Sequence, residues 1–163
     1  MTYKTDYLAD AINDWLYRAD ASIFSQPTQF TITPGTKVSG TGGSNLAVAL
    51  YTDAGGSVEV SAGTGYVRCG LIRHATTGHF DTASASKTIT NDGDSFEFFL
   101  VPWTGSETVR SVGIVYRDSA DAVVHGSGNQ IALATIGGSG SSVTISVGDS
   151  PVINTSKLTI IEG

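Results

Sequence analysis

NLAVALYT, residues 45–52, places Leu46, Val48 and Leu50 at alternate positions with the small Ala47 and Ala49 between them. Side chains alternate sides along a strand, so this stretch reads as a strand with large aliphatics on one face and methyls on the other. Outward from it, residues 53–57 are a Gly-rich turn and Val58 to Ser61 a short edge piece. GYVRCGLIR, residues 65–73, alternates less cleanly: Tyr66, Arg68, Gly70 and Ile72 fall on one face, Val67, Cys69, Leu71 and Arg73 on the other. Cys69 then reads as a small buried apolar residue. Farther on come Lys87 to Thr90, SFEFFLVPW at 95–103, Val109 to Arg117, Ala122 to His125, Gln130 to Ile136, Ser142 to Val147 and Lys157 to Ile161. Asn91-Asp92-Gly93 is a hairpin signal ahead of the aromatic segment, and Pro102 ends that strand or sets it at an edge. In the aromatic segment, Phe96 and Phe98 face opposite to Glu97 and Phe99, leaving Glu97 at solvent or an interface. With Gln29 to Thr33 upstream, strands recur at spacings of about ten residues, the pattern of an antiparallel β-sandwich or jelly-roll-like barrel.

The remaining element precedes the strands. Thr5 to Asp20 (TDYLADAINDWLYRAD) places Tyr7, Leu8, Ala11, Ile12, Trp15, Leu16 and Ala19 on one stripe of a 3.6-residue period, with Asp6, Asp10, Asn13, Asp14 and Arg18 opposite. Thr5 is a suitable N-cap. The division expected is an amphipathic helix within residues 1–24, packed on the sheet or on a partner, and a β-domain over 25–163, with 26–45 as an insertion or arm. Tyr7, Leu8, Ile12, Trp15 and Leu16 are the candidate partner-binding residues.

Composition narrows the function classes. The chain has 163 residues, 40% of them hydrophobic and only 15% charged, with 20 glycines. That is one domain's length, rich in turns. A net charge of −6 argues against a nucleic-acid face, which needs clustered Lys and Arg. No apolar run approaches the length of a membrane span, and no secretory signal is visible, so synthesis in the cytoplasm is expected. A single cysteine, Cys69, excludes an internal disulfide.

Catalytic and ligand signals are weak. His74, His79 and Asp81 lie in a polar stretch with no second ligand cluster. Asn91-Asp92-Gly93-Asp94 is half a calcium loop without its later ligands and reads better as a turn. Glu97 has no identifiable second carboxylate, no Ser sits in a nucleophile elbow, and Gly40 to Gly43 is not followed by the Gly-Lys-Ser/Thr of a phosphate loop. No enzyme, metal or cofactor is expected. Tyr51, Tyr66, Tyr116 and Trp103 are candidates for a sugar platform, although aromatics on strands more often pack in the core or on a sheet face; Trp103, between Pro102 and Gly105, is the one expected to be exposed.

Taken in order, Thr5-Asp6-Tyr7 with Ile12, Asp14, Trp15 and Leu16; Leu46 to Thr52; Glu59-Val60-Ser61 with Gly63, Gly65, Tyr66 and Arg68; and the ending Val143 to Asp149 then Leu158-Thr159-Ile160 resemble a family of small bacteriophage structural proteins of tail-fibre or head-decoration type. The resemblance covers nearly the whole chain; residues 26–45 are an insertion relative to that pattern. It implies a non-enzymatic virion component, a capsid decoration or tail-fibre piece. Such a component assembles with copies of itself, a trimer being expected, on the capsid or tail proteins of the particle. A carbohydrate-binding module for host attachment, using Trp103, is the alternative.

Overall fold

The structure, a computed structural model, describes residues 46–71, 78–80, 88–116, 124–126, 128–137 and 140–161. The expected helix with Tyr7, Leu8, Ile12, Trp15 and Leu16, the strand at Gln29 to Thr33 and the 26–45 insertion lie outside these residues. What is described is mainly β. The strands are β1 Leu46–Tyr51, β2 Cys69–Gly70, β3 Thr88–Thr90, β4 Phe96–Glu97, β5 Glu107–Val109, β6 Ser111–Tyr116, β7 Asn129–Thr135, β8 Val143–Ile145, β9 Val152–Ile153 and β10 Thr159–Ile161. A four-stranded sheet has the order β2-β1-β6-β7; β3 pairs with β10, β4 with β9 and β5 with β8. Every pairing is antiparallel.

β1 and β6 form the centre. Leu46, Val48 and Leu50 stand opposite Tyr116, Ile114 and Val112. These six join Phe96, Phe98, Trp103 and Leu158 in the principal core. The opposite face of the same two strands is small: Ala47 and Ala49 oppose Val115 and Gly113. A Cβ at Gly113 would stand 2.9 Å from the Tyr51 ring and from Gln130 Nε2, so the missing side chain makes room for both. Both strands are buried at every position. The alternation read from NLAVALYT holds, with both faces covered.

β7 carries a bulge. Its pairing steps from Ile114↔Ala132 to Val115↔Gln130, leaving Ile131 as the extra residue.

The Asn91-Asp92-Gly93 hairpin does not form. β3 and β4 pair with β10 and β9 near the end of the chain rather than with each other. Asn91 explains the change. It is fully buried. Its Nδ2 donates to the carbonyls of Asp94 (3.1 Å) and Asn154 (3.0 Å). Its Oδ1 accepts from the amides of Lys157 (3.1 Å) and Leu158 (2.7 Å). The whole hydrogen-bonding capacity of the amide is spent on tying this turn to the C-terminal segment.

Other boundaries also shift. Among the described residues of GYVRCGLIR only β2 is strand, and the aromatic strand shrinks to β4, although Phe96 and Phe98 are buried while Glu97 and Phe99 are half-buried. Val58 to Ser61 supplies a single bridge, Tyr51↔Glu59. Residues 124–126, expected to end a strand, are a turn. Cys69 is buried in the core, as its pattern indicated.

Replacing Asn91 with Ala should cost roughly 3 kcal/mol or more, since it strands two buried amides and two carbonyls at once. Urea unfolding measures this; a loss of less than about 1 kcal/mol would contradict the clamp.

Candidate functional site

Glu59 is the most heavily used polar side chain in the described structure. The hairpin after β1 positions it. Asp53 closes that loop by accepting from the amides of Gly55, Ser57 and Val58 and from the Ser57 hydroxyl. Hydrogen bonds from the Val58 and Ser57 amides hold the Asp53 carboxyl below the ordinary range. Glu59 then bridges back to Tyr51, facing the 61–68 segment. That segment turns through the 3-10 turn Ala62–Thr64, capped by the Ser61 hydroxyl, and reverses at Gly65 with φ 87°. Only glycine adopts that φ without strain. Its backbone lies against that of Trp103, and the Thr104 amide donates to Thr64 O at 2.7 Å.

Four donors converge on the Glu59 carboxylate. Oε1 accepts from Arg68 Nε (2.7 Å) and the Tyr66 hydroxyl (2.9 Å). Oε2 accepts from an Arg68 terminal nitrogen (2.8 Å) and the Gly126 amide (2.8 Å). The Arg68 fork is therefore bidentate, with side chains 3% and 8% exposed for Arg68 and Glu59. Burial pushes the Glu59 carboxyl up. The Arg68 hydrogen bonds, the Gly126 amide and the Arg68 charge outweigh it, so the group sits below its ordinary value. Burial would release the Arg68 proton, but the Glu59 hydrogen bond and charge hold the guanidinium above its ordinary value. Burial, reinforced by the Glu59 charge, raises the Tyr66 hydroxyl well above its usual range, so it remains a neutral donor. It also accepts from the Leu50 amide at 3.1 Å. His125 closes the cluster, with Nε2 2.7 Å from Val60 O and 3.9 Å from Glu59 Oε2. The carbonyl fixes Nε2 as the protonated nitrogen.

This arrangement joins three segments. The acceptor positions of the carboxylate are filled, leaving none to take a proton from a substrate. Glu59, Gly65, Tyr66 and Arg68 belong to the motif that carried the phage-protein resemblance. Their spacing was visible in the sequence, but their convergence on one carboxylate was not.

The sugar-platform expectation is corrected. Trp103 is 1% exposed. Its indole nitrogen donates to Phe98 O at 3.0 Å, its backbone pairs with Gly148 and Asp149, and its ring meets Tyr66 edge-on at 6.0 Å. A satisfied indole N–H makes full burial inexpensive. Tyr51, Tyr66 and Tyr116 are buried too, so none offers a face to a sugar.

Of the candidate metal ligands, only His79 is described. His74 and Asp81 lie outside the described residues. His79 is fully buried and stacked on Phe96 at 4.3 Å, with Nε2 4.0 Å from Cys69 Sγ. Among the described residues no group of three potential metal ligands occurs. No helix among them is long and apolar enough to cross a membrane.

The outward-facing feature is apolar. A cleft of about 610 Å³ opens beside β7, with Leu50, Phe98, Val112 and Leu158 among its lining and Val143 and Val152 at its margin. Val143 and Val152 are 48% and 39% exposed. β7 (NQIALAT) reaches it with Ala134 and Thr135 and is exposed at six of its seven positions. β7 is an edge of its sheet and contains neither charge nor proline. Nothing in the sequence marked this cleft, because its walls come from strands far apart in the chain. No protein-family model matches the chain, and no curated protein matches it.

Glu59→Gln should cost about 3 kcal/mol, or about 10 °C in Tm, because Arg68 stays buried without its counter-charge. The pH dependence has a definite sign. With its folded pKa depressed, Glu59 contributes stability above the ordinary carboxyl value of 4.5 and loses it as pH falls through the lower folded value. Urea unfolding between about pH 6 and pH 3 should therefore show a shallower acid decline in Glu59→Gln than in the parent. Equal slopes would contradict the assignment.

Proposed function

We propose that this protein is a non-enzymatic structural component of a bacteriophage particle, a capsid decoration or tail-fibre-type piece, folded as a β-sandwich or jelly-roll-like barrel. The observation that carries the reading is β7. Exposed edge strands are ordinarily protected by charge, proline or short length, because their free amides and carbonyls recruit other chains. β7 is seven residues long and uncharged, with Ile131 and Leu133 about 40% exposed. Its bulge at Ile131 is the one protective device present. It borders an apolar cleft, so edge and cleft form one continuous surface suited to assembly. On a chain of net charge −6, an uncharged exposed strand gives a face where another chain can approach without like-charge repulsion.

The motif resemblance supports the same direction. Its Glu59-Gly65-Tyr66-Arg68 portion forms a locked internal brace, the kind of rigid frame a particle component needs. Copies arranged by symmetry follow from this reading, with a trimer as the first state to test. The sugar-binding alternative lacks its exposed ring.

Two measurements test the proposal. Antibody against this chain, carried on gold and applied to purified particles, should decorate the head or the tail. No gold on intact particles, with the epitope shown to be accessible, would overturn it. Leu133→Lys places a charge on the β7 edge and should abolish incorporation while leaving Tm within a few degrees, as for other exposed substitutions. Normal incorporation would remove β7 from the assembly surface.

A further inference from the structure

Resting on the reading of β7 as the assembly edge, we infer what lies against it: β7 of a second copy of this chain, antiparallel about a two-fold axis at Ala134, joined through the outward backbone groups of Leu133 and Thr135.

The backbone of β7 decides which groups are available. The Ile136 amide donates to Arg110 O at 2.9 Å, on the β6 side. Backbone groups alternate sides along an antiparallel strand, so Ala134 and Ala132 also bond toward β6, while Leu133 and Thr135 turn theirs away. The other side of the sheet gives the same parity. Leu46 O accepts from the Leu71 amide and Leu50 O from the Val60 amide, so both residues turn away from β6. Ala47 and Ala49 then bond to Val115 and Gly113, which leaves Ile114 and Val112 to bond to Ala132 and Ala134. Among the described residues no strand pairs with the outer side of β7.

Self-complementarity identifies the occupant. A two-fold axis at Ala134 sets Leu133 opposite the partner's Thr135 and Thr135 opposite the partner's Leu133. Both residues present amide and carbonyl outward, so each such pair exchanges two hydrogen bonds. Ala134 meets its own counterpart between them, in the narrow position where Cα atoms approach to about 4.5 Å and a methyl group fits. The bulge at Ile131 lies outside the 133–135 stretch and leaves it regular. A copy carries the same net charge of −6, so it meets least repulsion at an uncharged strand. The sheet's opposite edge, β2, is two residues long, too short to complete a head-to-tail ring through strand edges. The β7 contact is therefore isologous, and a trimer would form through a different surface. Ala134 lines the cleft in each copy, so the pairing sets two clefts side by side on one face of the joined sheet, open to the particle. Pairing this short is weak between free chains and persists where particle symmetry brings copies together.

Disulfide trapping in the full-length chain tests the register. Leu133→Cys, Ala134→Cys and Thr135→Cys are each equilibrated in glutathione buffer, and interchain dimer is read on non-reducing gels. All three positions are exposed, and the parent, with Cys69 5% exposed, gives the background. Thermal melts matching the parent confirm that each variant is folded. At Ala134 the two Cα atoms fall within the about 4.4–6.8 Å that a disulfide spans. At Leu133 or Thr135 the like positions stand two residues out of register, about 8 Å apart, beyond that span. The expected result is at least about tenfold more dimer from Ala134→Cys than from either neighbour, with a mixture of Leu133→Cys and Thr135→Cys chains cross-linking better than either alone. Equal yields at the three positions, a maximum at Leu133 or Thr135, or no dimer above background would overturn the inference. Leu133→Lys separates the two claims. If it is lost from particles while Ala134→Cys fails to cross-link, β7 remains the assembly edge and a second copy is excluded as its occupant.

Discussion

The buried pair of Glu59 and Arg68 sets the terms for the rest of the described structure. Two charges taken out of water cost several kcal/mol each unless geometry and extra hydrogen bonds return that energy. Here the return is complete: a bidentate fork, a tyrosine hydroxyl and a backbone amide meet one carboxylate. The consequences spread outward. Tyr66 must stay neutral and point at both Glu59 and the Leu50 amide, which fixes the 61–68 segment against β1. Gly65 must take its left-handed turn, which brings Thr64 under Thr104 and closes Trp103 into the core. Gly126 must lend its amide, which draws in a turn 67 residues beyond Glu59.

A second tie works at the opposite end of the chain. Asn91 binds the end of β3 to residues 154–158, so β9 and β10 are held in register beside β4 and β3. Several of the paired strands are only two or three residues long and would not persist alone. Side-chain clamps and the β1–β6 core supply what length does not. The polar groups concentrate on internal ties, and the surface beside β7 is left apolar.

Much of the fold was legible. NLAVALYT announced a strand with distinct faces, and VRSVGIVYR and QIALATI announced two further strands, because each alternates over enough residues for the period to stand out. The short strands were not legible, because two residues carry no period. The Asn91 turn was misread because Asn-Asp-Gly suits a hairpin locally, whereas three of the side chain's four partners lie in the C-terminal segment more than sixty residues away. Trp103 was misread for a similar reason: Pro and Gly neighbours suggest a loop, but the backbone carbonyl that satisfies its indole is not visible in sequence. Of the site, the Glu59–Arg68 spacing was present as a motif without its meaning. The cleft had no signal at all. Tyr7, Leu8, Ile12, Trp15 and Leu16 remain a pattern in the sequence, lying outside the described residues.

The most direct test of the account is hydrogen exchange at backbone amides, compared between the free chain and the chain assembled on its particle. Assembly through the edge predicts that the outward amides of residues 129–135 exchange freely in isolation and become protected on assembly, together with the cleft margin at 143–153. The Leu50 and Gly126 amides, already bonded internally, should show little change. Unaltered exchange across 129–135, with protection appearing elsewhere, would contradict the claim that β7 is the surface through which this protein assembles.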